Sequence, residues 1–357
     1  MPDRQPSTRR TFRLAVPVAA VLLVAVAALV IMAATAYAVF SDVFNNTGNT
    51  FRTDTLDPPS GLAASVVDSD IRLDWTPTAD TYATGYKVQR GTDSGGPYTE
   101  INTVAPYTTA TYTDNTVSAG MRYYYVLETY FQSWLSVYSN EVSASVITFR
   151  GSTSAGAPSG TLSLTINKPS GTAAGDVMIA SIAVRPDTAA ITAPANWTLV
   201  RRIDNTNVNA NSLAVYYKVA GASEAANYTW TFSTSTGSAG GIHTFSGVDT
   251  GNPIDVEGGQ NTASGLTHAT PGVTTTVTNT MLVTSHAFSS SATWTPPGAM
   301  TEVFDVASET VPNAAGISIE GNYVMQTATG ATGTKTATAS NDADVGNTHI
   351  LALKPAP

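Results

Sequence analysis

The strongest constraint on the fold of this chain is an internal duplication in residues 147–357. Four short blocks recur in the same order at a nearly constant shift of 103 to 106 residues. The matched blocks are 177–184 with 281–288, 191–194 with 294–297, 212–219 with 317–324, and 240–245 with 346–351. Since repeats at a fixed period mark repeated structural units, the pattern predicts two diverged copies of one strand set, at about 147–250 and 251–357.

The pattern inside the copies predicts β-strands. Residues 177–184 are apolar at nearly every position, as in a strand that is buried on both faces. Tyr228, Trp230 and Phe232 alternate with threonines, which is the period of a half-buried strand. No segment after residue 41 has a sustained helical period. We therefore expect an all-β fold after the N-terminal segment.

Two packings fit the duplication. One is a single jelly-roll-like sandwich in which the copies share a core, and the other is two small sandwiches in tandem. The strip 247–255 joins the copies and is too patterned for a flexible linker. The segment 327–340 alternates weakly, so the second copy is poorly suited to stand alone. We expect one larger β-sandwich over 147–357.

The strand and turn pattern of residues 58–146 predicts a separate, smaller sandwich. Ile71, Leu73 and Trp75 alternate with polar residues, as a half-buried strand requires. The segment 93–97 contains two adjacent glycines and predicts a hairpin turn. About seven short strands in some ninety residues is the spacing of an immunoglobulin-like sandwich.

The same residues resemble a fibronectin type III domain of the bacterial kind. The matching pieces are Pro58 to Leu62, Trp75, Gly85 to Val88, Thr111 to Asp114, Tyr123 and Ser139 to Glu141. The resemblance implies that Trp75 is the core tryptophan and that Tyr123 is the corner tyrosine. It also implies a spacer or protein-contact role. The chain has no Arg-Gly-Asp sequence, so integrin-type adhesion is not implied.

Residues 147–357 are similar to an uncharacterised β-sandwich module of bacterial exoproteins and phage structural proteins. The segments that carry this resemblance are Gly175 to Val177, Pro194 to Leu199, Tyr216 to Gly221 and Gly247 to Asp255. The module often stands beside fibronectin-type domains. The resemblance implies a class of protein but no activity.

Residues 1–38 predict export. Three arginines between positions 9 and 13 precede an uncharged, mostly Ala, Val and Leu run over 14–41. Basic residues stay on the cytoplasmic side, so the rest of the chain is expected outside. The segment is either a signal peptide cleaved after Ala38, in a small-x-small pattern, or a membrane anchor, because 14–32 is long enough to span a bilayer.

The sequence just after this run supports export. Ala36 to Asp42, followed by Gly48 to Phe51 and Thr55 to Asp57, resembles the start of camelysin-like secreted matrix proteins. In that family the signal is removed just before a Phe-Ser-Asp strand. Residues 39–57 are expected to form an extended linker.

Composition limits the partners. The chain has no cysteine, so an exported fold must be held by sheet packing without disulfides. The net charge is −9 and only 12% of the residues are charged. Nucleic acid and anionic membrane surfaces both select basic patches, so neither is expected as a partner. Membrane contact is expected only through the N-terminal segment, if it is not cleaved.

Four aromatic side chains are candidate ligand contacts. Tyr130 and Trp134 lie near the last turn of the fibronectin-like region and could be exposed. Trp230 and Trp294 could stack on a sugar, although core packing is the alternative for both. The sequence contains no G-x-S-x-G motif and no phosphate-binding glycine loop, and we predict no catalytic residue and no cofactor.

The histidines and one Asp-rich segment are the candidate metal ligands of this sequence. The chain has four histidines: His243, His268, His286 and His349. His243 and His349 fall at matched positions of the duplication, but no carboxylate or cysteine stands beside them at ligand spacing. Asn341 to Asn347 loosely resembles the start of a calcium loop but lacks the downstream glutamate, so a turn is expected. We predict no metal site.

These observations predict a non-catalytic secreted or surface-anchored bacterial protein for adhesion or extracellular binding. Its expected partner is an extracellular glycan or protein. Two alternatives stay open: a carbohydrate-binding accessory protein, and a structural matrix-fibre subunit that polymerises through edge strands.

Overall fold

The structure is a computed structural model, and it describes residues 55–67, 70–118, 120–206 and 210–356. Every regular element among these residues is a β-strand. None of them belongs to a helix that is long and apolar enough to cross a membrane. The predicted signal peptide or anchor over 1–38, its cleavage site at Ala38 and almost all of the predicted linker lie outside the described residues.

The fibronectin-like region consists of eight strands in two facing sheets. The strands are β1 (Ser60–Val67), β2 (Asp70–Thr76), β3 (Gly85–Gly91), β4 (Thr99–Val104), β5 (Thr111–Asp114), β6 (Arg122–Phe131), β7 (Trp134–Leu135) and β8 (Val142–Ser145). One sheet has the order β1-β2-β5 and the other β4-β3-β6-β7, with β8 also paired to β6. All of these pairings are antiparallel.

The core of this small sandwich agrees with the fibronectin type III prediction. Trp75 is buried and packs edge-on against Tyr86, with ring centroids 5.4 Å apart. Tyr123 is also buried, and its hydroxyl accepts a hydrogen bond from the backbone N–H of Ser118. This is the backbone contact of a tyrosine corner. The region therefore has a fibronectin type III-like fold.

The first copy of the duplication contains six strands. They are β9 (Thr148–Asn167), β10 (Val177–Arg185), β11 (Ile191–Thr192), β12 (Thr198–Asn205), β13 (Asn211–Val219) and β14 (Asn227–Ser246). Five of them pair in the order β9-β14-β10-β13-β12, and β11 adds to the outer part of β14.

The second copy repeats this order with its long strands split. Its strands are β15 (Ile254–Gly265), β16 (Thr267–Ala269), β17 (Thr274–Thr275), β18 (Thr280–Phe288), β19 (Trp294–Thr295), β20 (Thr301–Ala307), β21 (Ser318–Gln326), β22 (Gly330–Ala331), β23 (Thr336–Ala339) and β24 (Asp344–Leu353). The main sheet has the order β15-β24-β18-β21-β20, and β16-β23-β19 and β17-β22 form two small sheets.

Each copy supplies one whole sheet, and the two sheets share a core. The hydrophobic cluster between them combines Ile179 and Val215 of the first copy with Val283, Ile319 and other apolar side chains of the second. Among the described residues of 148–353, no strand of one copy belongs to the main sheet of the other. A jelly roll is built from two Greek keys spread over both sheets, so the expected jelly-roll connectivity is wrong.

The strand pairing also corrects the alignment of block 212–219 with block 317–324. Ser212 pairs with Val184 and Ser318 pairs with Phe288, so Ser212 is equivalent to Ser318 and not to Ile317. A one-residue slip would turn every side chain to the opposite face of the sheet, which the shared core forbids. The register itself shifts at the same place in both copies, at Val200 and at Val303.

The first sheet is apolar on its outer face as well. Strand β10 is buried almost throughout, and its second face packs against a cluster that contains Trp197, Tyr228 and Trp230. Strands β9 and β14 are each 20 residues long, and their outer halves pair over 161–167 and 227–236 to cover this face. This burial on both faces agrees with the prediction from the unbroken apolar run.

The fibronectin-like domain joins the larger sandwich without a spacer. Strand β8 ends at Ser145, and β9 begins at Thr148. The hydroxyl of Ser145 lies 2.9 Å from the carbonyl of Gly247 and 3.2 Å from that of Ala356. The side-chain amide of Asn279 donates to the carbonyl of Val66 at 2.6 Å. Residues Leu56–Pro357 accordingly form one compact unit.

Candidate functional site

Several exposed apolar side chains lie on or beside the hairpin between β6 and β7. We call this region the hairpin surface and define it by Tyr82, Phe131, Trp134, Leu135, Val137 and Tyr138. The exposed fraction is 61% for Trp134 and 73% for Val137, and Leu135, Tyr138 and Tyr82 are exposed as well. Single exposed apolar residues are ordinary, whereas several that lie near one another in the fold suit a contact surface.

A tight turn presents these side chains. Strand β6 ends at Phe131 and the chain returns at Trp134, which pairs with Phe131 across the hairpin. Gln132 has a φ of 53°, the left-handed conformation that such turns need. The hydroxyl of Ser136 accepts a hydrogen bond from the N–H of Thr129, and the N–H of Ser136 donates to the carbonyl of Thr129. The turn is therefore held by the adjoining strand.

Ring contacts hold both ends of the hairpin surface. Tyr82 and Phe131 meet edge to face with centroids 5.7 Å apart. Tyr138 meets Tyr98 in the same way at 5.5 Å, and the hydroxyl of Tyr98 donates to Glu141. Burial and the Glu141 carboxylate raise the pKa of Tyr98 to about 12, so this hydroxyl keeps its proton. Such packing fixes the rings of Tyr82, Phe131 and Tyr138 before any partner binds.

The structure separates the four predicted contact aromatics. Trp134 is exposed, and Tyr130 next to it is half-buried, paired with Gly85 and Leu135. Trp230 is completely buried in the outer cluster of the first copy, 5.3 Å from the ring of Trp197. Trp294 is only 7% exposed. For Trp230 and Trp294 core packing, the alternative to sugar contact, is confirmed, because neither ring offers a free face.

The predicted correspondence of His243 and His349 is shifted. His349 pairs with Ser285, whereas the equivalent Ser181 pairs with Gly241. His349 is thus equivalent to Gly241, two residues from His243. A shift by two keeps both histidines on the core face, since side chains alternate along a strand.

His243 lies among apolar rings, whereas His349 lies beside a carboxylate. Burial lowers the pKa of His243 to about 3, and its ring contacts Phe304 with centroids 4.9 Å apart. His349 Nε2 lies 3.1 Å from Glu257, which also forms two hydrogen bonds of 2.7 Å with Arg201. The bonds from His349 and Arg201 lower the pKa of Glu257 to about 2.

The other two histidines lie on the outer face of the second sheet. His286 and Glu320 are both completely buried, and His286 Nδ1 lies 2.9 Å from Glu320 Oε1. Burial and the nearby His286 lower the pKa of His268 to about 4. Among the residues described here, no group of three or more His, Asp or Glu side chains is placed to hold a metal ion. The Asp-rich segment after Ser340 lies in the turn between β23 and β24.

Sequence reasoning missed the carboxylates that stand beside these histidines. Glu257 and Glu320 reach His349 and His286 from neighbouring strands, so no spacing along the chain reveals the contacts. Comparison of the two copies gives one indication of the polar environment around Glu320. The strand around Glu320 carries a glutamate and an asparagine where the first copy has alanine and tyrosine at 214 and 216.

Comparison with known proteins finds similarity to solved structures but not to a family model or a curated protein. No protein-family model matches the sequence, and a search of curated proteins finds no match. Among solved structures, an Fn3-like protein from Clostridium thermocellum is 34% identical, with a TM-score of 0.23, and covers 25% of this chain and 92% of its own.

Two further structures share less sequence. The FN1-FN3 domains of chicken CNTN1 are 13% identical, with a TM-score of 0.23, and the match covers 55% of this chain and 65% of theirs. The chitinase ChiA74 from Bacillus thuringiensis is 14% identical, with a TM-score of 0.21, and the match covers 56% of this chain and 28% of the chitinase. The TM-scores are low, and the fibronectin type III-like assignment rests on the strand arrangement itself.

Proposed function

We propose that this chain is a non-catalytic secreted or surface-anchored bacterial protein that binds an extracellular glycan or protein through the hairpin surface. The observation that carries the proposal is the exposure of Trp134 among other apolar side chains on one ordered hairpin. Aromatic side chains with few rotatable bonds contribute large contact areas at low entropic cost. The net charge of −9 supports a partner that is not nucleic acid.

An array of immobilised glycans tests this proposal and separates the two partner classes. We expect the labelled protein to bind a restricted set of glycans, and Trp134→Ala to weaken that binding by about tenfold or more, as loss of an interface tryptophan does. Leu199→Ala is the matched control, because Leu199 is a similarly exposed apolar residue on the larger sandwich.

The outcomes are distinct. Glycan binding that is lost in Trp134→Ala and kept in Leu199→Ala supports the proposal. No binding on the array, together with Trp134-dependent attachment of the protein to cells treated to remove glycans, assigns a protein partner. Binding that Trp134→Ala leaves unchanged contradicts a role for the hairpin surface.

The matrix-fibre alternative needs a free sheet edge for polymerisation. In the larger sandwich, neighbouring edges of the two sheets are bridged. Arg201 of β12 forms an ion pair of 2.7 Å with Glu257 of β15. On the other side, the hydroxyl of Ser152 in β9 donates to the carbonyl of Val303 in β20. These bridges favour the binding role, and filaments of the secreted protein in electron micrographs would contradict it.

Export through the N-terminal segment is part of the same proposal. Cleavage after Ala38 would give a secreted protein that begins at Val39. Mass spectrometry of the protein from its host tests this, since an intact chain that retains 14–32 would indicate a membrane anchor.

A further inference from the structure

The outer face of the second sheet carries two rows of polar side chains that run across neighbouring strands. The first row passes from β20 to β24 through residues that pair directly: Asp305, Glu320, His286 and Thr348. The second row lies beside it: Glu302, Asn322 and Thr284, followed by Ile350. Directly opposed residues on one face lie close enough for their side chains to interact. The seven polar side chains therefore form one cluster.

The first copy has an apolar surface at the same place. The residues equivalent to the first row are Arg202, Ala214, Ile182 and Gly240, and those equivalent to the second row are Leu199, Tyr216, Ala180 and Ile242. The central members of these rows belong to the buried outer cluster of that sheet. An apolar filling thus satisfies the fold at this position. The polar cluster of the second copy is not required by the architecture.

His286 and Glu320 form a buried pair at the centre of the cluster. His286 Nε2 lies 3.0 Å from the carbonyl oxygen of Lys335, which can only accept, so this nitrogen carries hydrogen. The other ring nitrogen faces Glu320 Oε1 at 2.9 Å. This nitrogen, Nδ1, makes no hydrogen bond among the described residues. Asn322 donates a hydrogen bond of 2.9 Å to Glu320 Oε1.

Two acceptors of the cluster have no partner among the described residues. Glu320 Oε2 and Asn322 Oδ1 are buried and receive no hydrogen bond there. Both residues are completely buried, so their acceptors meet little water. A buried acceptor without a donor costs free energy comparable to a lost hydrogen bond. These two atoms point to a missing donor.

The cluster opens to solvent at the β20 end. Glu302 and Asp305 are exposed, and both lie near the carboxylate of Glu320. Partial desolvation and the charges of Glu320 and Asp305 raise the pKa of Glu302 to about 7. Desolvation also raises the pKa of Asp305 to about 6, although that carboxylate accepts a hydrogen bond from the N–H of Trp294. Like charges that crowd in this way favour a bound cation.

We propose that this cluster binds a primary ammonium group, which enters between Glu302 and Asp305 and donates to Glu320 Oε2 and Asn322 Oδ1. An ammonium has three donors and a compact charge, which suits several convergent acceptors. A metal ion suits the cluster less well, because no three ligating side chains are placed around one point in the described residues. The site is separate from the hairpin surface and independent of it.

Isothermal titration calorimetry of the full-length protein at about pH 8, where Glu302 is ionised, tests the proposal. The probe is ethylammonium, and N-ethylacetamide is its uncharged match. We expect ethylammonium to bind and N-ethylacetamide to bind at least about tenfold more weakly, as loss of a charge-assisted hydrogen bond implies. Lysine amide and glucosamine serve as two further probes, and the tighter of them identifies the source of the ammonium group.

Two variants make the test specific. Glu302→Gln removes one exposed carboxylate and should weaken ethylammonium binding by about tenfold. Glu100→Gln is the matched control, because it removes one exposed carboxylate from the fibronectin-like domain and should change nothing. Equal binding of ethylammonium and N-ethylacetamide, no heat from either probe, or unchanged binding by Glu302→Gln would overturn the proposal. Calcium binding without ammonium binding would overturn it as well.

Discussion

The hydroxyls of Ser181 and Ser285 share a hydrogen bond of 2.6 Å across the middle of the larger sandwich. The two residues are 104 positions apart and occupy the same place on β10 and β18, the central strands of the two copies. Both side chains are buried. The bond therefore joins each copy to its counterpart at the point where the pseudo-twofold axis of the duplication passes.

This bond should couple the two serines energetically. Ser181→Ala or Ser285→Ala alone leaves a buried hydroxyl without its partner, and each should cost about 1–3 kcal/mol of unfolding free energy. The double variant should cost less than the sum, because it leaves no unpaired group. Urea unfolding of the four proteins in a double-mutant cycle measures the coupling. Strict additivity of the two single effects would show that the bond contributes nothing.

A fragment that contains only one copy should not fold. Residues 147–250 on their own would expose the inner face of the first sheet, including Ile179 and Val215, which the second copy covers. We expect this fragment to aggregate or to remain unfolded, because a large exposed apolar face favours association. The matched fragment 147–357 should be soluble and should melt cooperatively. A soluble 147–250 fragment with a cooperative melt would instead support two tandem sandwiches.

Trp75 should be essential to the fibronectin-like domain. Its indole is buried against Tyr86, so Trp75→Ala should destabilise this domain by about 3–5 kcal/mol, as truncation of a large core aromatic does. Differential scanning calorimetry should show that the transition of this domain moves, while that of the larger sandwich moves far less. Trp134→Ala is the control, because an exposed tryptophan should change stability by no more than about 0.5 kcal/mol.

Stability should fall in acid through His243. The folded state keeps this ring neutral because burial lowers its pKa from 6.5 to about 3. Above about pH 6.5 neither the folded nor the unfolded state binds the proton, so the contribution of the ring is complete. As the pH falls from there towards 3, the unfolded chain takes up the proton first, and stability drops by up to about 1.4 kcal/mol per pH unit.

The variant His243→Leu separates this effect from other acid-induced changes. Leucine fits the apolar surroundings of Phe245 and Phe304 and cannot titrate, so the variant should lose less stability between pH 6.5 and 4 than the native chain. Urea unfolding over this pH range is the measurement. His268 remains in both proteins, and burial lowers its pKa to about 4, so a residual slope is expected. Identical slopes in the two proteins would contradict the role of His243.

Part of the fold could be predicted from local pattern alone. Alternation around Trp75 and the spacing of short strands predicted the small sandwich, since a strand with one face in a core must alternate. The recurrence of four sequence blocks predicted the repeated strand order of the two main sheets. The equivalence of particular residues was harder: Ser212 was matched to Ile317 although it corresponds to Ser318. Loops of different length between the strands shift such alignments by one or two positions.

The candidate sites were also predictable only in part. Trp134 was a candidate because it lies near the last turn of its domain, and it proves to be exposed. Trp230 was a candidate of the same kind, but it is covered by strands from distant parts of the first copy. The cluster at Glu320 and His286 was not foreseen at all, because these residues stand 34 positions apart and meet only through strand pairing.

The sequence by itself determined the β-strand periods, the duplication and the acidic, cysteine-free composition, because each depends on residues close together in the chain, on a repeated pattern or on totals. Tertiary structure alone decided that the two copies face each other over one core, with Ser181 against Ser285. It also decided which aromatics are buried and which carboxylates meet histidines. Those outcomes depend on contacts between strands distant in sequence, and no local pattern specifies which strand will lie beside which.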